Sequence, residues 1–236
     1  MNEFFFTKKM RCFLLLFPFL FLACSHAKNV DSERMTKTIS TSRPPRPVHE
    51  RMVKSLIVLD AGHGGYDLGA HSEHCEEKNL ALQTSLLVKK YLSEMGYRIL
   101  LTRADDVFIP LKDRASIANK SHARLFLSIH YNAAKTPLAN GVEVYYYNKS
   151  TDWRTISSKR LGRCILSRLL DRTKAASRGI KEGNFLVIRE TLMPAILIEG
   201  GFITNAGECR KLTDKHYVDQ IAKAIAEGVD LYCKGH

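Results

Sequence analysis

The chain has 236 residues, 45% of them hydrophobic and 25% charged, with a formal net charge of +12. That length fits one or two domains, and so apolar a mix excludes a chain disordered throughout. Six cysteines are too few for a disulfide miniprotein, and the one long apolar run, residues 13–24, falls short of the ~20 needed to span a bilayer.

That run is laid out as a secretion signal. Lys8, Lys9 and Arg11 precede it, and Ser25-His26-Ala27 offers small residues where a signal peptidase reads. A competing scheme uses Phe21-Leu22-Ala23-Cys24 as a lipoprotein box with Cys24 lipidated, although Phe21 and Leu22 fit that box poorly. Both schemes take the protein out of the cytoplasm, to a periplasmic location, either free or tethered to a membrane through Cys24. Loss of residues 1–27 lowers the net charge by two, to +10. Residues 28–54 then carry seven basic side chains against three acids, with Arg43-Pro44-Pro45-Arg46-Pro47 inside, and read as a basic disordered spacer. Such a spacer suits an anionic lipid face or an acidic polymer. Nucleic acid is not expected, because no aromatic residues interleave with the basic ones and no recognition helix is discernible.

From Ser55 the pattern changes. Residues 56–59 are a short apolar strand running into Asp60-Ala61-Gly62. Over residues 77–95 the stripe of Leu80, Ala81, Thr84, Leu87, Val88, Tyr91, Leu92 and Met95 predicts a helix, stopped by Gly96. A strand at 97–102, a helix at 111–121, and strands at 125–129 and 142–147 follow. Next come a helix at 153–171 and two short strands, 185–188 and 195–198. A last helix carries Val218, Ile221, Ala222, Ile225, Val229 and Tyr232. The strands at 56–59, 125–129 and 195–198 are almost wholly apolar, as strands buried on both faces are. The expectation is one α/β domain over residues 55–236, a mostly parallel sheet of about six strands with helices on both faces.

Ligands of open α/β sheets gather at the carboxyl ends of the strands. Three predicted strands end there in His63, His130 and Glu199, and Glu77 opens the first helix a short loop after His63. Two imidazoles and a carboxylate around an open position form the ligand set of a catalytic zinc hydrolase, with a further carboxylate as general base. One histidine at a strand end is more often structural; two of them with two carboxylates at one edge favour a metal. His71 and His74, in the loop before Glu77, are alternative ligands by proximity. Asn132 faces the same way as His130 by strand alternation, and either holds substrate or caps the strand-end turn. Serine catalysis has no support: Gly-x-Ser-x-Gly is absent and Ser-x-x-Lys occurs only at Ser25–Lys28. Cys75, Cys164, Cys209 and Cys233 read as buried thiols or disulfides, which sequence does not pair.

The order of these motifs makes the chain resemble a known family. Asp60-Ala61-Gly62-His63-Gly64-Gly65 comes first, then Glu77-Lys78, Leu101-Thr102-Arg103 and Arg114. Ser128-Ile129-His130-Tyr131-Asn132-Ala133, Gly141-Val142-Glu143-Val144-Tyr145 and Ile198-Glu199-Gly200-Gly201-Phe202 follow. Over residues 56–232 the chain resembles the zinc-dependent N-acetylmuramoyl-L-alanine amidases of the bacterial cell wall. The resemblance implies one zinc ion held by His63, Glu77 and His130, with Glu199 as the catalytic carboxylate. It implies as substrate peptidoglycan or its lipid-linked precursor, cut between N-acetylmuramic acid and L-alanine. The loop His71-Ser72-Glu73-His74-Cys75-Glu76 lacks a glycine usual in the family, leaving Glu73 and Glu76 as rivals of Glu77, which the following Lys78-Asn79-Leu80 favours. Gly200 replaces a common threonine and is expected to open the pocket beside Glu199. Residues 172–184, basic and small, offer no helix suited to covering the site, so no obligatory activator is expected. Two rival readings are a zinc peptidase cutting elsewhere in the stem peptide and a silent wall-binding module. Retention of Glu199 argues against the second.

Overall fold

Residues 55–149 and 152–235 are described by a computed structural model; the signal-like segment with Cys24 and the spacer 28–54 lie outside the described residues. The elements in chain order are β1 (Leu56–Ala61), α1 (Glu77–Glu94), β2 (Arg98–Leu101), α2 (Leu111–Lys120), β3 (Leu125–Asn132) and β4 (Val142–Tyr146). Then follow α3 (Trp153–Thr173), β5 (Ser177–Glu182), α4 (Leu186–Glu190), β6 (Ala195–Phe202), α5 (Ala206–Leu212) and α6 (Lys215–Lys234). The six strands form one sheet in the order β2-β1-β3-β6-β4-β5. Four pairings are parallel, and β4 runs antiparallel to β6, so the sheet is mixed.

Alternation along the apolar strands divides the core in two. Ile57, Leu59, Leu125, Leu127, Ile129, Ile196 and Ile198 point to the face covered by α1, α3 and α6, the larger cluster. Val58, Phe126, Ala195 and Leu197 point to the other, where Ala118 of α2 and Val187 and Ile188 of α4 meet them. Only the short helices α2 and α4 cover this second face. Three helices begin at side-chain caps: Asp152 accepts from the Thr155 N–H, Asn205 from Glu208 and Asp214 from His216.

Two expectations change. Residues 185–188 are not a strand: Phe185 caps the short helix α4, whose Val187 and Ile188 bury themselves in the second cluster. Four consecutive apolar residues carry no period that separates helix from strand. The sixth strand is instead β5, inside the segment read from sequence as a basic connector. It is an edge strand paired only with β4, and Ser177, Arg178, Lys181 and Glu182 give it the polar character that blunts edges.

Candidate metal centre

The site begins with the turn that ends β1. His63 holds a left-handed conformation, φ 58°, which a side-chain-bearing residue adopts only when its surroundings impose it. Two buried arginines impose it here. Arg114 donates to the carbonyls of Ala61 (2.5 Å) and His63 (2.6 Å), and Arg103 to those of Ala61 (3.0 Å), Gly62 (2.7 Å) and Lys78 (2.8 Å). Arg114 also pairs with Asp60 at 3.0 Å, so the charges are not buried alone.

His63, Glu77 and His130 converge, each offering a ligand atom within 4.8 Å of the others. Oε1 of Glu77 is the meeting point, 2.8 Å from His130 Nδ1 and 3.1 Å from His63 Nε2, and it accepts from the Tyr131 N–H at 3.1 Å. Oε2 of Glu77 accepts from the Ala70 N–H at 2.8 Å. Burial alone would raise the Glu77 pKa, but its bonds to His130 and His63 hold it well below the usual carboxylate range. For His63, burial lowers the pKa and the carboxylates of Glu77 and Asp67 outweigh it, a net rise. The Asp67 carboxylate lies 2.9 Å from His63 Nδ1, an ion-pair distance without hydrogen-bond alignment.

The orientation of His130 supplies a test of what fits between these groups. Ser128 Oγ donates its proton to Asp60 Oδ2 (2.8 Å), whose Oδ1 takes bonds from Thr102 and Arg114. Ser128 Oγ, 3.1 Å from His130 Nε2, is therefore left as the acceptor of that ring nitrogen's proton. With Nε2 turned to Ser128, Nδ1 of His130 faces Glu77 Oε1 at 2.8 Å, on the side where His63 Nε2 also points. Hydrogen-bonded outer partners of this kind are what orient metal ligands. The donor set fits zinc.

Glu199 lies in the same layer. In the sheet register it sits between His130 on β3 and Glu143 on β4, so all three side chains leave the same face. Its Oε2 is buried without a hydrogen-bond partner among the described residues. Burial raises its pKa well above the ordinary carboxylate value, and the charges of Glu77 and Glu143 add to the rise. Glu143 differs: burial opposes its charge, but Lys181 (2.6 Å), Tyr145 (2.7 Å) and Arg178 (2.8 Å) hold its pKa down. Asn132 donates to Glu143 Oε1 at 2.7 Å while its own Oδ1 accepts from the Ala133 N–H at 2.8 Å.

The rivals of Glu77 stand apart. Glu76 accepts from Asn79 at 2.8 Å, Glu73 is exposed, and neither His71 nor His74 joins the cluster. Gly200 does not open space beside Glu199; it faces the other way, and a Cβ there would meet the Tyr131 ring at 2.7 Å. Sequence reading overlooked Asp60, Ser128, Arg103, Arg114 and Glu143 as parts of the site. The available signal was a lone polar residue, Asp60 or Ser128, inside each of two otherwise apolar runs.

Gly62 carries a direct prediction. A Cβ there would lie 2.2 Å from Cε1 of His130. Gly62→Ala is expected to tilt that imidazole and weaken metal binding by roughly 10–100-fold, the scale of outer-shell lesions. Competition with a chromophoric chelator measures it, and unchanged affinity would show that the ring tolerates the methyl group.

Two imidazoles and a carboxylate at the open edge of an α/β sheet, with a buried carboxyl alongside, define the class of metal-dependent hydrolases. Within that class, the chain belongs to the N-acetylmuramoyl-L-alanine amidase family, which it matches over residues 57–230. Among its relatives is the uncharacterized protein YqiI of Bacillus subtilis, 36% identical over 192 residues covering 81% of this chain and 91% of that protein. The N-acetylmuramoyl-L-alanine amidase LytC of the same organism is 37% identical over 181 residues, 77% of this chain but only 36% of LytC. The crystal structure of an N-acetylmuramoyl-L-alanine amidase from Clostridium difficile 630 matches with a TM-score of 0.74 at 41% identity, covering 78% of this chain and 98% of that one.

Proposed function

We propose that the chain is a zinc amidase that hydrolyses the bond between the lactyl group of N-acetylmuramic acid and the L-alanine of the stem peptide. The observation that carries the reading is a single carboxylate oxygen of Glu77 shared by two imidazole nitrogens, with Glu199 unpartnered in the neighbouring strand. His63, Glu77 and His130 would hold the zinc, which when bound would supply Lewis acidity and acidify water towards a pKa of about 7. Glu199 takes the proton of the attacking water on its free oxygen. It then returns that proton to the amine as the amide breaks. Asp60 and Ser128 keep His130 in its tautomer, and Arg103 and Arg114 fix the turn that presents His63. Glu143, held by four donors, stays ionised. Asn132 spends both ends of its amide on Glu143 and Ala133, so its part is to shape the substrate side of the cleft rather than to grip substrate by a free donor.

The protein acts outside the cytoplasm, led there by residues 1–27, either free or tethered through Cys24. No helix among the described residues is long and apolar enough to cross a membrane. The substrate is peptidoglycan or its lipid-linked precursor. This reading includes no obligatory activator; α4, between β5 and β6, packs on α2, β3 and β6.

Mass spectrometry of muropeptides after incubation with the purified zinc-loaded protein tests this reading. The expected products are a peptide-free disaccharide and a stem peptide beginning at L-alanine. Cleavage elsewhere in the stem would make the chain a peptidase, and hydrolysis only after another protein is added would establish an activator.

A further inference from the structure

A second pair of reactive side chains is joined by the fold outside the metal cluster. Cys75, in the loop before α1, and Cys209, on α5, are both buried and stand 134 residues apart in sequence, yet their Sγ atoms lie 2.9 Å from each other. Ser72 flanks the pair, accepting from the Cys75 N–H at 3.2 Å and lying 3.4 Å from Cys209 Sγ. The loop carrying Cys75 is a small hairpin. The Ser72 N–H donates to the Cys75 carbonyl (2.8 Å), His71 bridges Glu76, and the Glu77 N–H donates to the Ala70 carbonyl (2.8 Å). Glu77 thus closes a hairpin whose contact with α5 is made through sulfur two residues earlier.

We infer that Cys75 and Cys209 form a disulfide that clamps the Glu77 hairpin to α5. A bond length of about 2.05 Å requires the sulfurs to approach by about 0.9 Å, within the reach of side-chain rotation. The inference rests on the extracytoplasmic reading above, since disulfides persist in oxidising compartments. The oxidant is a low-molecular-weight or protein disulfide. One cysteine, as thiolate, attacks a sulfur of that disulfide, forming a mixed disulfide and releasing one thiol. The second cysteine displaces the other thiol, closing the Cys75–Cys209 bond. In total the protein gives up two electrons and two protons, and the oxidant becomes two thiols. The bond closes a loop of more than a hundred residues, the range in which chain-entropy models give the largest stabilisation.

The test equilibrates the reduced full-length protein with reduced and oxidised glutathione, traps remaining thiols by alkylation and maps the peptides. A Cys75–Cys209 cross-linked peptide is expected, with a melting temperature about 5–15 °C above that of the reduced form. Cys75→Ser and Cys209→Ser should each abolish both the cross-link and the dependence of melting on redox buffer. Glutathione adducts alone, a cross-link to any other cysteine, two thiols protected by a bound metal, or full alkylation in oxidised glutathione would overturn the pairing. Alkylation of the protein directly in cells separates the two readings. A pair that closes in glutathione but is reduced in cells leaves the pairing standing and removes the extracytoplasmic location, whereas failure in glutathione removes the pairing alone.

Discussion

Replacing His130 by alanine is expected to strip the metal and abolish hydrolysis together. The variant removes one of three converging ligands and leaves Glu77 Oε1 with His63 Nε2 at 3.1 Å and the Tyr131 N–H. Two side-chain ligands on an open edge retain a divalent ion weakly, so the loss should exceed the ~10–100-fold typical of outer-shell changes. Ser128→Ala provides the scale. It frees the Nε2 end of the same ring without removing Nδ1, and should fall inside that range. Metal content after dialysis, read by atomic emission, and turnover on muropeptides should fall in parallel across the series wild type, Ser128→Ala and His130→Ala. Stoichiometric zinc with full turnover in His130→Ala would exclude this residue as a ligand.

The residues that sequence placed at the site were visible because each stands where an apolar run stops. His63, His130 and Glu199 follow runs of Val, Ile and Leu buried on both sheet faces, and such runs announce both the strand and its functional end. The supporting network left a weaker trace. Asp60 and Ser128 are single polar residues inside those runs, and their partners Thr102 and Arg114 lie 42 and 54 residues from Asp60, beyond any local periodicity. Glu143 left a trace of a different kind. In Val142-Glu143-Val144 the alternation puts the carboxylate on the face opposite its two apolar neighbours, and there Glu143 is buried beside Glu199. The compensating charges, Arg178 and Lys181, sit on β5, the strand whose polarity disguised it. A buried acid and a polar edge strand were two halves of one cluster, and neither half is legible without the other.

Glu199→Gln is expected to separate chemistry from metal binding. The substitution keeps the side chain's size but removes its capacity to take and return a proton, so turnover should fall by on the order of 10²–10⁴-fold while zinc content is unchanged. Stability should move the opposite way. The folded pKa of Glu199 is raised by burial and by Glu77 and Glu143. Its contribution to stability is therefore present below its unfolded value, about 4.3, and is lost as pH rises through the folded value. Above that folded value the ionised carboxylate burdens the fold, and a neutral amide relieves the repulsion from both neighbouring acids. The metal-free variant should melt at or above the metal-free wild type, the behaviour of a residue kept for function at a cost in stability. A merely structural Glu199 would give the reverse, a lower melting temperature with turnover reduced only in proportion to unfolded protein. An emptied metal site in the variant would make Glu199 a ligand and move the general base elsewhere.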